Sequence, residues 1–231
     1  MLEHARRLDH GAETERTVFF SDAVFAIAMT LLALDLRLPE VPADISVQGF
    51  ESVLMGRLPS LAAFVLSFVL VARTWLHHHR RFNAIASYDN KLQVINLLTL
   101  FFIVFLPVPT AMLFADVPST PWPPVIYALT IAGLNLSVSW VWRYARKAGL
   151  LAGWVDDPLF RLVEGGTAPT WVVFAASIPI AFINPTWAMY SWIMLWPAST
   201  IHGRLRMRAF VRAETARFQA QERAEGAAAG L

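Results

Sequence analysis

Cysteine is absent from the 231 residues. That excludes disulfides, thiolate metal sites and cysteine nucleophiles, and it leaves the redox compartment open. Charge is scarce as well: Asp, Glu, Lys and Arg make up 16% of the chain, against about 25% in an average soluble domain. Gly165-Gly166 has no preceding strand and no following Lys-Ser/Thr, so a phosphate-cradling loop is missing. Ser60, Ser67 and Ser137 lack a His/Asp arrangement, which leaves nucleophilic catalysis without support. His77, His78 and His79 are consecutive and point in different directions on a helix, so they cannot hold one metal ion together. They suit a polar network at an interface, and groups of this type titrate near pH about 6.5. No enzyme, metal site or resident cofactor is expected.

What the chain does have is apolar residues: 56% of it is hydrophobic, with a mean hydropathy of +0.49. They fall in continuous runs rather than in alternation, which points to spanning helices and away from a barrel. A span needs about 20 such residues, and about six candidates occur. They run from about Thr17 to Leu36, Leu58 to Leu76, Leu92 to Leu113, Pro124 to Trp142, Pro169 to Ile183, and Thr186 to about Ile201. The last two are short and joined by Asn184-Pro185, a turn signal that allows an interrupted hairpin or a re-entrant pair. Acidic residues Glu3, Asp9, Glu13 and Glu15 precede the first run, which therefore reads as a permanent helix rather than a cleaved signal.

The formal net charge is only +2, but its placement is informative. Arg6, Arg7 and Arg16, then Arg80, Arg81 and Lys91, then Arg143, Arg146, Lys147 and Arg161, and finally Arg204, Arg206, Arg208 and Arg212 all fall on one side of an even-span topology. Glu40, Asp44, Glu51 and Asp116 fall on the other, with Arg37 and Arg57. The positive-inside rule puts both termini in the cytoplasm. Topology accounts for the basic clusters, so nucleic-acid binding is not expected. The fold class is an all-α polytopic bundle: a cytoplasmic segment over 1–16, a six-helix membrane domain over 17–202, and a basic cytoplasmic tail over 203–231. That tail either continues the sixth helix or lies on the membrane, with disorder expected from Gly226 to Leu231. Trp75, Trp122, Trp140, Trp142, Trp187, Trp192 and Trp196 lie near span ends, where interfacial belts and packing inside the bundle are both open. His202 and Asp156-Asp157 read as loop chemistry.

The first span carries the chemistry. Arg16, Ser21 and Asp22 sit at or inside its cytoplasmic end. An acid within a membrane helix costs a few kcal/mol unless it is paired or wet, and is a functional candidate for that reason. The bland alternative is a helix cap facing water. Ile27, Thr30, Leu31 and Leu34 follow at i, i+3, i+4 and i+7, on one face. Facing a pore, they would make an apolar constriction that gates by dewetting, with a hydroxyl beside it. Facing lipid, they are an ordinary stripe. Asp35, near the outer end, is either a cation-concentrating mouth or a solvated terminus.

The pattern Arg16-x-x-x-Phe20-Ser21-Asp22, and the apolar run after it, resemble the signature of the potassium channels related to endosomal/lysosomal transmembrane protein 175. Trp75 through His77, His78, His79, Arg80 and Phe82 is similar to that family's second helix end. Asn96-Leu-Leu-Thr-Leu-Phe, followed by Leu106-Pro107, resembles its third helix. The likeness covers about the first half of the chain, and it looks like the prokaryotic branch, with one six-helix unit per chain. It implies a homotetramer in the inner (plasma) membrane, passing K+ without a cofactor and with membrane lipid as its other partner. It also implies that Ile27, Leu31 and Leu34 are hydrophobic constrictions and Thr30 a selectivity threonine. Arg16, Phe20, Ser21 and Asp22 would belong to a polar network that holds the first helix, with Trp75, His78, His79 and Asn96 as partners. Ala23 departs from a frequent glycine. No Thr-Val-Gly-Tyr-Gly filter segment occurs, so selectivity would rest on a narrow apolar neck. The alternative is a secondary transporter or proton-coupled cation carrier using Asp22 and a histidine.

Overall fold

The computed structural model describes residues 12–34, 36, 44–113 and 120–229. Ten α-helices occur among them. α1 is Ala12–Leu34, α2 Val47–Gly56, α3 Leu58–Phe82, α4 Asn90–Phe105 and α5 Pro107–Met112. α6 is Trp122–Lys147, α7 Asp157–Glu164, α8 Ala168–Ile183, α9 Pro185–Ser191 and α10 Leu195–Ala229. The expected spans start and stop where local signals act. Asp89 caps α4 by accepting from the Leu92 amide at 2.7 Å, which satisfies one of the orphan donors of the first turn. The chain breaks after Phe105 because Pro107 cannot donate, and helix resumes there as α5. Asn184 adopts an extended backbone, caps α9 by accepting from the Trp187 amide at 3.1 Å, and separates it from α8.

Among the described residues, five helical stretches are long and apolar enough to cross a membrane. They are Arg16–Leu34, Val47–Phe82, Asn90–Met112, Trp122–Lys147 and Asp157–Ile183. The sixth expected segment, from Thr186, is helical but interrupted by a three-ten turn at Trp192–Met194, where the Trp192 indole donates to Ser177 Oγ at 3.0 Å. Two further differences stand out. Residues 47–56, expected as part of a loop, form α2, capped by Ser46 and joined almost directly to α3. α10 continues as helix through Gly226 to Ala229, and Gly230 and Leu231 lie outside the described residues. Its Ala, Arg, Glu and Gln content favours helix at nearly every position. The expected boundary at 202/203 therefore falls inside one helix, and His202 is helical rather than in a loop.

α6 is the axis of the bundle. Along its apolar stretch 72% of residues are buried, against 22% for α1, so α6 is the most enclosed of these helices, with one exposed stripe at Leu129, Leu136 and Trp140, while α1 lies at the edge. α4 and α8 pack on α6, and α1 packs on α3 and α4. The core is Phe25, Val71, Ile103, Tyr127, Ile131, Leu134 and Phe174, all with no exposure. Within it lies a hydroxyl knot: Ser67 Oγ is 2.9 Å from Thr110 Oγ1 and 3.0 Å from the Tyr127 hydroxyl. Trp142 and Trp192 are buried, so packing holds for them, whereas Trp122, Trp140, Trp187 and Trp196 are exposed.

The basic loops meet at one end of the bundle. Ile85 bridges Leu151, the Ala86 amide donates to the Leu150 carbonyl at 2.8 Å, and the Tyr144 hydroxyl donates to Asp89 at 2.5 Å. Gly149 makes the reversal with φ +69°, a conformation that side-chain-bearing residues rarely adopt.

Candidate functional site on the first helix

α1 begins at Ala12, so Ser21 and Asp22 stand well inside it and are not its cap. Ser21, Phe25, Ala28 and Leu32 are buried and define the inner face, as the 3.6-residue period requires. Two polar tethers fix that face. In the first, the Trp75 indole donates to Asp22 Oδ1 at 2.8 Å, and His79 Nδ1 stands 3.8 Å from Oδ2. In the second, Asn96 Nδ2 donates to Ser21 Oγ at 3.0 Å, while the Ser21 hydroxyl donates to the Thr17 carbonyl at 2.8 Å. The amide oxygen of Asn96 can only accept, so His78 Nε2, 2.8 Å away, carries its proton. The His78 ring stacks on Phe82 at 4.0 Å and tilts against Phe25. Buried amides and imidazoles of this kind persist in a membrane when each finds a partner.

The two histidines thus divide: His78 serves the Ser21 arm and His79 lies beside Asp22. Arg16 and Phe20 are not in either arm. Both are exposed, and with Thr17, Gln93 and Leu97 they flank an open groove of about 420 Å³ that reaches Asn96. Ala23 is exposed, so no helix crossing within the chain demands the smaller glycine there. Asp35, with Arg37, Glu40 and Asp116, lies outside the described residues.

Opposite the tethered face, Ile27, Leu31 and Leu34 are 57%, 37% and 59% exposed, and Thr30 is exposed with them. Thr30 Oγ1 donates to the Ile27 carbonyl at 2.7 Å, which leaves its lone pairs free to accept. α4 also carries exposed apolar residues, Val94, Leu97, Phe101 and Val104 among them. The α1 face differs in having a hydroxyl among its branched side chains and a fixed rotation set by the tethers.

Arg81 was expected as a loop charge and is instead 1% exposed. Its guanidinium donates to the Val138 carbonyl at 3.1 Å and the Val163 carbonyl at 3.0 Å, clamping α3 to α6 and α7. Nothing local in His-His-His-Arg-Arg-Phe distinguishes it from Arg80, which is exposed. Asp156, expected in a loop, caps α7 by accepting from the Leu159 amide at 3.0 Å. That bond and the Arg217 guanidinium hold its carboxyl below the usual range. Among the described residues no group of His, Asp and Glu could hold a metal ion.

Comparison with known proteins bears on this arrangement. The model of the family described as endosomal/lysosomal potassium channel TMEM175 matches residues 16–107, which include both tethers and the exposed face. A potassium channel of Streptomyces collinus is 31% identical over 176 residues, 74% of this chain and 84% of that protein. A potassium channel of Chamaesiphon minutus is 34% identical over 173 residues, 72% of this chain and 85% of that protein. The human endosomal/lysosomal proton channel TMEM175 is 29% identical over 108 residues, 46% of this chain and 21% of that protein. The crystal structure of a lysosomal potassium-selective channel TMEM175 homolog from Chamaesiphon minutus superposes with a TM-score of 0.60 at 27% identity, covering 87% of this chain and 98% of that one. The chain is a multi-pass membrane protein that belongs to the TMEM175 family, a family of ion channels and not of enzymes.

Proposed function

We propose that this protein is the subunit of a potassium-selective channel whose pore is lined by α1. The observation that carries the reading is the uncovered face Ile27, Thr30, Leu31 and Leu34, opposite a face pinned by Ser21 and Asp22. One such helix cannot enclose a path, so copies of the chain must converge; four of them, in the inner membrane with cytoplasmic termini, make a closed cyclic assembly. Relatives of similar length are named potassium channels. Residues Ser21, Asp22, Trp75, His78, His79 and Asn96 orient the helix, while Arg16 and Phe20 stand outside both tethers.

The mechanism follows from hydration. A neck of branched apolar side chains admits an ion only after part of its water is removed, and potassium, the larger ion, surrenders water more readily than sodium. The Thr30 oxygen replaces one lost water. A hydroxyl ring offers fewer oxygens than a cage of carbonyls, so discrimination is modest. A carrier mechanism with Asp22 and His79 as the coupling pair gains less support, because Asp22 already accepts from Trp75 and the relatives are named channels.

The test is potassium and sodium flux in liposomes holding the purified protein. Wild type is expected to pass potassium without a co-ion and to set a potassium diffusion potential. Ile27→Asn, which wets the neck, is expected to raise sodium flux severalfold. An unchanged permeability ratio in that variant removes Ile27 from the filter, and saturable flux that needs a co-ion overturns the channel reading.

A further inference from the structure

At the end of the bundle that carries the basic loops, two helices leave the apolar region together. α10 is apolar to Ile201 and charged from Arg204, and the turn Gly165–Thr167 separates the charged α7 from the apolar α8. One contact brings these two transitions to the same level: His202 Nε2 donates to the Gly165 carbonyl oxygen at 3.1 Å. Beyond that level α7 and α10 flank an open cleft of about 490 Å³, lined by Arg161, Arg206 and Arg217, with Asp157, Leu162 and Phe210.

The carboxylates around the cleft already have cations. Arg146 pairs with Asp157, and Arg143 with Glu164 at 2.5 Å. Arg217 pairs with Asp156 at 2.5 Å and Glu214 at 3.4 Å. Among the described residues neither Arg161 nor Arg206 has a carboxylate within 4 Å. Arg206 is also the more confined of the two. Its guanidinium lies against Gly165 so closely that a methyl group there would overlap Nη1. Burial pulls its proton affinity below the ordinary value, with Glu164 opposing. A partly desolvated guanidinium that lacks a carboxylate and opens onto a cleft is suited to an anion with planar, bidentate oxygens.

We infer that this cleft seats the phosphate of an anionic glycerophospholipid from the leaflet on the basic-loop side, with Arg206 and Arg161 on the phosphate oxygens and Leu162 and Phe210 against the glycerol and first methylenes. A lipid is favoured over free phosphate by position and by lining. The cleft begins where the apolar helices end, which is headgroup depth, and part of its wall is apolar. Basic side chains near such a surface are drawn to anionic lipid.

The experiment measures the Tm of the purified full-length protein in detergent with short-chain phosphatidylglycerol, short-chain phosphatidylcholine or sodium phosphate. Phosphatidylglycerol is expected to raise Tm by several degrees where the other two leave it unchanged, since a ligand of the folded state stabilises it by mass action. Arg161→Gln and Arg206→Gln are each expected to remove at least half of that rise, and Arg223→Gln, far along α10, to leave it intact. Gly165→Ala keeps every charge but displaces the Arg206 guanidinium, so it too is expected to reduce the rise; it carries the test with Arg161→Gln if Arg206→Gln does not fold. An equal rise with phosphatidylcholine would mean general lipid solvation, and an equal rise with phosphate a free-anion site; either overturns the proposal. So does an undiminished rise in the Arg161 and Gly165 variants.

Discussion

Asn96 uses its side-chain amide at both ends. Its NH2 reaches Ser21 and its oxygen receives His78, so one residue on α4 ties α1 to α3. Asn96→Leu fills the same space and leaves Ser21 Oγ and His78 Nε2 buried without that partner. A stranded buried polar group costs about 1–3 kcal/mol, and interhelical bonds in membranes run lower, about 0.6–2 kcal/mol. Asn96→Leu is therefore expected to lower Tm in detergent measurably. Asp22→Asn keeps an acceptor for the Trp75 indole and loses only its charge beside the half-exposed His79, so it is expected to cost less. Thermal melts of the two variants check the order; the reverse order would make Asp22, not Asn96, the principal tether. Arg81 shows the same logic in a cation: its planar fork gives one nitrogen to each of two carbonyls that belong to different helices.

Among the elements, the crossing of α4 and α6 leaves no room for a side chain at Gly133 unless the Phe102 ring shifts. A Cβ there would lie 2.5 Å from Cζ of Phe102, whose ring packs on the core. Gly133→Ala is expected to destabilise by about 1–3 kcal/mol through overpacking, and Phe102→Leu in the same chain to restore part of the loss; a thermal melt of the single and double variants reads the coupling. This contact also marks where sequence reading stops. The first span and the Asn184-Pro185 turn were legible because each is written in consecutive residues. The choice of His78 over His79 for Asn96, the burial of Arg81 and the length of α3 were not. α3 runs past Leu76 to Phe82 because its polar end finds partners on α4, α6 and α7, and those partners are distant in sequence. The interruption at Trp192–Met194 likewise accompanies a bond to Ser177 on another helix. α2 was readable in principle from Ser46 and the apolar residues after it, but a span beginning at Leu58 left no need for it.

For the whole molecule, the question is what covers the outer face of α1. The bundle is centred on α6, and α1 is held at its edge by side chains chosen for pairing rather than for burial. An edge helix in lipid needs no such precision of rotation; a helix that must aim the same four residues at an axis does. The absence of cysteine makes this directly measurable. Ile27→Cys and Leu34→Cys each place a single thiol per chain, and a disulfide forms only when Cβ atoms come within about 3.5–4.5 Å. If copies of α1 surround a narrow neck, mild oxidation is expected to link chains into dimers on a non-reducing gel and to suppress ion flux, with reductant restoring both. Val172→Cys is the control: Val172 is exposed on α8, which packs chiefly on α6, and it is expected to stay monomeric on the gel and unaffected in flux. Linkage through Val172 with none through Ile27 or Leu34 would put α1 against acyl chains, and the neck would have to be built from another helix.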